Sequence, residues 1–311
     1  MFDRHSESQT NVNRAEAASD ARRYDVAQDM AMQAISTDPD NPDGYASLGR
    51  ACLGQNKVSE AEEHFRKALS MDPESHWYLA GLSVCLRLQK KHKEALQHAN
   101  ELTRLFPVMS HSHETRGDAL HANGKNEQAV EAYKVAIQHD PENDGALLGI
   151  GNALLDLKKP NEAESYIRRA LEFNPNSAIC LNNLGVCLEN QGDLKNAALA
   201  YKSAVLVDPS LKIAKANTAS AVDRYLAVGG GVSLFLIYIG FKIAYYFGRQ
   251  MDSIPDTAIV ISVVLVAVFF FVIVITAIYQ RVVRKKRRKE LESDDPQLLE
   301  IYNTIKRAKD Y

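Results

Sequence analysis

Residues 181–209 read LNNLGVCLENQGDLKNAALAYKSAVLVDP. Two helical patterns follow one another here. Leu184 and Gly185 sit in the first, and Ala197, Tyr201 and Ala204 share one stripe of the second. Pro209 closes the second pattern, because the residue before a proline is pushed out of the helical region of backbone space. Counting back, Pro175, Pro141, Pro107, Pro73 and Pro39 recur at intervals of 34 residues. Proline fills only about 5% of positions on average, so five repetitions of one spacing define a period. Each proline follows Asp, Asn or Phe at the end of an amphipathic stretch, as in EAEEHFRKALSMDP. The unit is therefore a helix–turn–helix repeated head to tail.

The other units carry the same small and large residues at matching places. The second has Tyr45, Leu48-Gly49, Ala61, Phe65, Ala68 and Pro73; the fourth has Gly117, Ala129, Tyr133, Ala136 and Pro141. The fifth has Ile150-Gly151, Ala163, Ile167, Ala170 and Pro175. This pattern resembles the tetratricopeptide repeat, whose 34-residue unit pairs Leu-Gly in its first helix with Ala…aromatic…Ala in its second. The resemblance covers about residues 8–211. It implies an all-α fold: an α-solenoid of about six helix pairs over residues 8–225, with SLKIAKANTASAVDRYL as a capping helix. The third unit departs, with Ser83 for the glycine and Leu102 for the last alanine, and looser packing is expected there. The first keeps only Ala27, Ala34 and Pro39, and its first helix is polar, as suits an exposed end. Residues 1–7 are expected to be disordered.

The net charge of −2 is unevenly spread. Residues 1–225 hold 25 Lys+Arg against 31 Asp+Glu, and residues 281–311 hold 10 against 6. An acidic repeat body is a poor binder of nucleic acid, which needs a basic face. The four cysteines form no CxxC pair or zinc spacing and read as buried free thiols. The N-terminal stretch MFDRHSESQTNVNRAEAASD has no apolar core and does not read as a secretory signal.

After residue 225 the composition changes. LAVGGGVSLFLIYIGFKIAYYF (226–247) carries one charge, Lys242, and IVISVVLVAVFFFVIVITAI (259–278) carries none. About 20 apolar residues span a bilayer, so residues 226–280 are expected to form a two-helix transmembrane hairpin. Tyr245, Tyr246 and Tyr279 fall at the interfaces, and Lys242 can snorkel toward one of them. The basic run that follows, Arg281, Arg284, Lys285, Lys286, Arg287, Arg288 and Lys289, marks the cytoplasmic side. Two spans then place the repeats on that side as well. The run can also attract anionic lipid head groups. The tail beyond it, DDPQLLEIYNTIKRAKDY (294–311), has length for one short amphipathic helix, solvated, lying on lipid or docked onto a partner.

The resemblance implies a groove lined by first helices that takes an extended peptide or a partner helix. Groove positions include Arg50, Trp77, His111, Glu114, Asp118, Asn152, Asn182, Asn183 and Asn217. The chaperone-tail clamp of the family is not complete: Asn152 and Asn183 match its asparagines, but Leu148, Ile213 and Asn217 replace its cations. Asn183 and Asn217 match an asparagine ladder like that of peptide O-linked N-acetylglucosamine transferase, whereas Gly81, Thr115 and Gly149 do not. These asparagines could equally bond neighbouring backbone. Trp77 reads as partly buried packing or as a binding hot spot. His111 and His113 stand two apart and face different sides, so a metal site is not expected. No Gly-rich phosphate loop, GxSxG or HExxH occurs, so neither catalysis nor a cofactor is expected. The expectation is a membrane-anchored scaffold for protein partners. The alternative is an integral subunit of a membrane transport, secretion or envelope-assembly complex.

Overall fold

The computed structural model describes residues 4–227, 242 and 255–309, with the side chains of 255–270, 272 and 309 set aside. All the described elements are helices. The chain divides into two compact units, Met1–Pro175 and Asn176–Tyr311.

The first unit contains five antiparallel pairs: α1 (Arg4–Asp20) with α2 (Tyr24–Thr37), α3 (Pro42–Gly54) with α4 (Val58–Met71), and α5 (His76–Leu88) with α6 (His92–Leu105). Then come α7 (Ser110–Ala122) with α8 (Asn126–His139), and α9 (Asp144–Asp156) with α10 (Pro160–Phe173). The second unit contains the sixth pair, α11 (Ala178–Asn190) and α12 (Leu194–Val207), and the capping helix α13 (Lys212–Ala227). Two C-terminal helices follow, α14 (Pro255–Asp294) and α15 (Pro296–Lys309). The thirteen helices α1–α13 are the expected solenoid of six pairs and a cap.

Several first helices are started by side-chain caps. Asn41 accepts from the Asp43 amide at 3.0 Å and Asn143 from the Ala146 amide at 2.7 Å, satisfying donors the helix cannot use. Every first helix of a pair ends the same way. Arg22, Asn56, Lys90, Gly124, Lys158 and Gly192 all adopt positive φ, at the same 34-residue interval as the prolines. The next amide then bonds back to the last turn, as Lys57 to the Cys52 carbonyl and Lys159 to the Leu154 carbonyl. This left-handed closure favours glycine, which stands only at Gly124 and Gly192.

The pairs cross on small residues. Ala27, Ala61, Ala95, Ala129, Ala163 and Ala197 are all fully buried. In four of the second helices a large residue, Phe65, Tyr133, Ile167 or Tyr201, fills what remains. An ideal Cβ on Gly117 would lie 2.6 Å from the Tyr133 ring, and one on Gly149, in the next pair, 2.5 Å from it. Phe65 is wedged in the same way between Gly49 and Gly81. Glycine is required there by close approach.

The third pair solves the same problem differently, and the expected loosening does not occur. Ala99 takes the place of the ring, which leaves room for the Cβ of Ser83 and of Thr115 in the next pair. Ser83 is buried and donates to the Ala95 carbonyl at 3.1 Å, while Leu102 restores the volume and is fully buried with Leu79 and Ala80.

The N-terminus also departs from expectation. Helix α1 begins at Arg4, within the stretch expected to be disordered. Its small polar face is covered: Ser8 is fully buried, donates to the Ala34 carbonyl at 2.9 Å and accepts from Asn41 at 3.0 Å.

Among the described residues no helix is long and apolar enough to cross a membrane. The expected hairpin falls largely outside them. Its first segment is described only at 226, 227 and 242, and the side chains of 259–270 and 272 in the second are set aside. The end of the tail is packed on protein. Within the second unit, Leu291, Leu298, Leu299 and Tyr302 are buried, and Ile301 packs with Val205 and Ala214 on the last pair and cap.

Candidate functional site

The first helices of the pairs carry two cavities in the first unit. One, of about 340 Å³, is walled by Glu16, Asp20, Asp43, Arg50, Trp77 and Tyr78 over a floor of Ala46 and Ser47. These residues come from α1, α3 and α5. The sequence places Arg50 and Trp77 on groove positions, and the fold brings them together here. The other, of about 410 Å³, holds Arg87, Glu114, Asp118, His121, Tyr133 and Asn152, with Leu148 and Gly149 beside them. It unites the expected Asp118 and Asn152.

In the first cavity Trp77 is 64% exposed, so it is not a partly buried packing residue, one of the two expectations for it. Its ring stands 5.1 Å from His76 and 6.1 Å from His111. Three carboxylates face one guanidinium. Arg50 pairs with Asp20, and the Tyr78 hydroxyl donates to Asp43. Glu16 makes no hydrogen bond or ion pair among the described residues. Burial raises its carboxyl above the usual range, and Asp43 and Asp20 push the same way against Arg50.

The second cavity grows out of the ring wedge. Because Tyr133 is held between Gly117 and Gly149, its hydroxyl reaches Asp118 at 2.7 Å, and Arg87 approaches Asp118 at 3.3 Å. Burial and the Asp118 charge hold the Tyr133 hydroxyl well above its ordinary pKa. Glu114 accepts from Asn143 at 3.1 Å and lies 3.3 Å from the His111 ring. Burial pushes Glu114 up, but bonds from His111 and Asn143 outweigh it and hold the carboxyl low.

In the second unit the asparagines serve one another. Asn182 is buried, donates to Asn183 at 3.1 Å and accepts from Asn217 at 3.0 Å. Asn182 is the hub of this arrangement; the ladder pattern names only its two neighbours. Of the basic run, Arg287 is half-buried, bonds the Tyr225 carbonyl and lies over the Tyr225 ring, while Arg281, Arg284, Lys285, Lys286, Arg288 and Lys289 are exposed. No cluster of three or more metal-ligating side chains occurs among the described residues. His111 is exposed and His113 buried, as their spacing implies.

Family models described as tetratricopeptide repeat match residues 12–76, 53–110, 89–146, 120–180 and 166–198. The human protein O-mannosyl-transferase TMTC3 is 26% identical over 202 residues, 59% of this chain and 22% of that protein. Anaphase-promoting complex subunit 3 of Schizosaccharomyces pombe is 27% identical over 150 residues, 48% of this chain and 22% of the relative. The chain thus spans about a fifth of either relative's length. Among solved structures, the APC/C hetero-tetramer Cut9-Hcn1 superposes with a TM-score of 0.62 at 17% identity, covering 67% of this chain and 41% of the other, a likeness of fold.

Proposed function

This chain belongs to the tetratricopeptide repeat family, and we propose that it is a membrane-anchored scaffold that gathers partner proteins on its first-helix faces. The observation that carries the binding half is Trp77. A large aromatic side chain left 64% exposed in the wall of a concave site is the kind of anchor on which interfaces concentrate their energy. The reading is of a non-catalytic protein. Its chemistry is recognition by side chains held on rigid paired helices.

The anchor rests on the run 259–278. At its C-terminal end Phe271, Val274, Ile275 and Ile278 are each at least half exposed, at the i, i+3, i+4, i+7 spacing of one helix face. Burying such side chains is worth about 1.5–3 kcal/mol each, and lipid is the proposed cover. The exposed basic residues just beyond it favour a cytoplasmic, anionic surface, at about 1 kcal/mol per charge. In this reading the repeats and the tail are cytoplasmic. Tethering raises the local concentration of whatever the repeats hold, without any new contact.

A photo-crosslinking residue placed at position 77 of the full chain, in the membranes of the cells that produce it, tests the reading. Discrete protein adducts should form from position 77 and not from Phe173, an exposed residue on the second helix of a pair. No adduct at 77, or the same adducts from both positions, refutes it.

A further inference from the structure

We propose that the first cavity takes a lysine or arginine side chain from an extended, basic segment of the partner, seated between the Glu16 and Asp43 carboxylates and the Trp77 ring. The inference rests on the scaffold reading and adds the chemistry of what is bound. It starts from the charges on the cavity wall. Glu16, Asp20 and Asp43 face a single cation, and that cation, Arg50, already pairs with Asp20. Glu16 feels Arg50 only at longer range and Asp43 bonds the neutral Tyr78 hydroxyl, so three carboxylates against one guanidinium leave two negative charges in excess. A cation entering a concave, partly desolvated site gains more from them than it would in open water.

The aromatic wall is the independent observation. Trp77 exposes its ring to the same space, and the face of an indole attracts a cation within about 6 Å of its centre. An anionic or purely apolar segment would leave the two carboxylates desolvated and unpaired, which is costly. The second cavity is closer to balance. There Glu114 and Asp118 face Arg87, and Arg87 is likewise paired with Asp118. Glu114 also has the His111 ring at 3.3 Å, so the excess of carboxylates lies in the first cavity and the basic side chain is assigned there alone.

Trp77 is the only tryptophan of the chain, so its emission reports the site directly. The full chain in non-ionic detergent is titrated with a tetralysine peptide and, separately, with tetraglutamate. Tetralysine should change the Trp77 emission saturably and more weakly as salt is raised, whereas tetraglutamate should not. Glu16→Gln with Asp43→Asn, which keeps an acceptor for Tyr78, should weaken tetralysine binding by about tenfold or more. Arg50→Glu should strengthen it, a gain that misfolding cannot imitate. No response to tetralysine, equal binding by the double variant, no gain from Arg50→Glu, or an equal response to tetraglutamate would each overturn the assignment. If protein adducts at position 77 form regardless and tetralysine fails to displace them, the scaffold reading stands and the cationic partner alone is lost.

Discussion

Adding one methyl group at Gly149 should destabilise the repeat stack, although alanine is the better helix former. The Cβ would lie 2.5 Å from two carbons of the Tyr133 ring, well inside van der Waals contact. The ring cannot step aside. It is 1% exposed, Gly117 blocks its other face with a 2.6 Å approach, and its hydroxyl is held by Asp118 at 2.7 Å. Against a ring that cannot move, overpacking takes the upper part of its usual range, about 2–3 kcal/mol, from which the gain of about 1 kcal/mol for replacing glycine in a helix is subtracted. Net destabilisation of about 1–2 kcal/mol is expected for Gly149→Ala by urea unfolding of the full chain in detergent, followed by circular dichroism. The decisive comparison is a double-mutant cycle. Tyr133→Ala alone should cost about 3–5 kcal/mol by leaving a cavity. In that background Gly149→Ala should become neutral or stabilising, giving a coupling of at least about 1 kcal/mol. The third pair already shows the outcome, since Ala99 in place of the ring coexists with Ser83 and Thr115 at the corresponding positions. Additive effects, or an unperturbed single variant, would refute the wedge.

Three further outcomes follow from the geometry. Asn182→Ala should cost about 1–3 kcal/mol by removing its two hydrogen bonds, to Asn183 and from Asn217, whereas Asn190→Ala, exposed at the end of α11, should stay within about 0.5 kcal/mol of wild type in the same unfolding assay. The His111–Glu114 pair should stabilise in a pH window. The bond to Glu114 raises His111 in the folded state, so its contribution is full below the ordinary histidine value of 6.5 and fades as pH climbs through the raised one. Glu114 is lowered, so its share is full above the ordinary 4.5 and fades as pH falls through the depressed value. The stability lost on His111→Ala should therefore be larger at about pH 5.5 than at about pH 8.5. Leu298→Asp places a charge on a fully buried position of the tail, and amides of residues 296–309 should lose at least about 2 kcal/mol of protection from hydrogen exchange while those of α3–α10 keep theirs.

The prolines alone make the repeat legible, because backbone sterics force a helix end before each one. Groove positions came from the family resemblance, and the sequence did not name the meetings of Arg50 with Trp77 and of Asp118 with Asn152 on cavity walls. The second 34-residue rhythm, the left-handed turn, was hidden because Arg22, Lys90 and Lys158 stand where glycine would have marked it. The third pair misled for a related reason. Ser83 and Leu102 look like losses one at a time, but Ala99 exchanges volume with both across the crossing. Asn182 was overlooked as a hub because its role depends on α13 bringing Asn217 within reach of α11. The tail was ambiguous in principle, since an amphipathic helix looks the same whether lipid or protein covers it. Here Tyr302 and Lys306 reach Asp223 at 2.7 and 2.6 Å, and Lys202 reaches Asp295 at 2.6 Å.

Alkaline carbonate extraction of native membranes tests the tethered-scaffold account most directly. The full chain should remain in the membrane pellet, and a version with Phe271, Val274, Ile275 and Ile278 all changed to Asp should move to the supernatant with its helical content intact. A full chain released by carbonate alone would contradict the account.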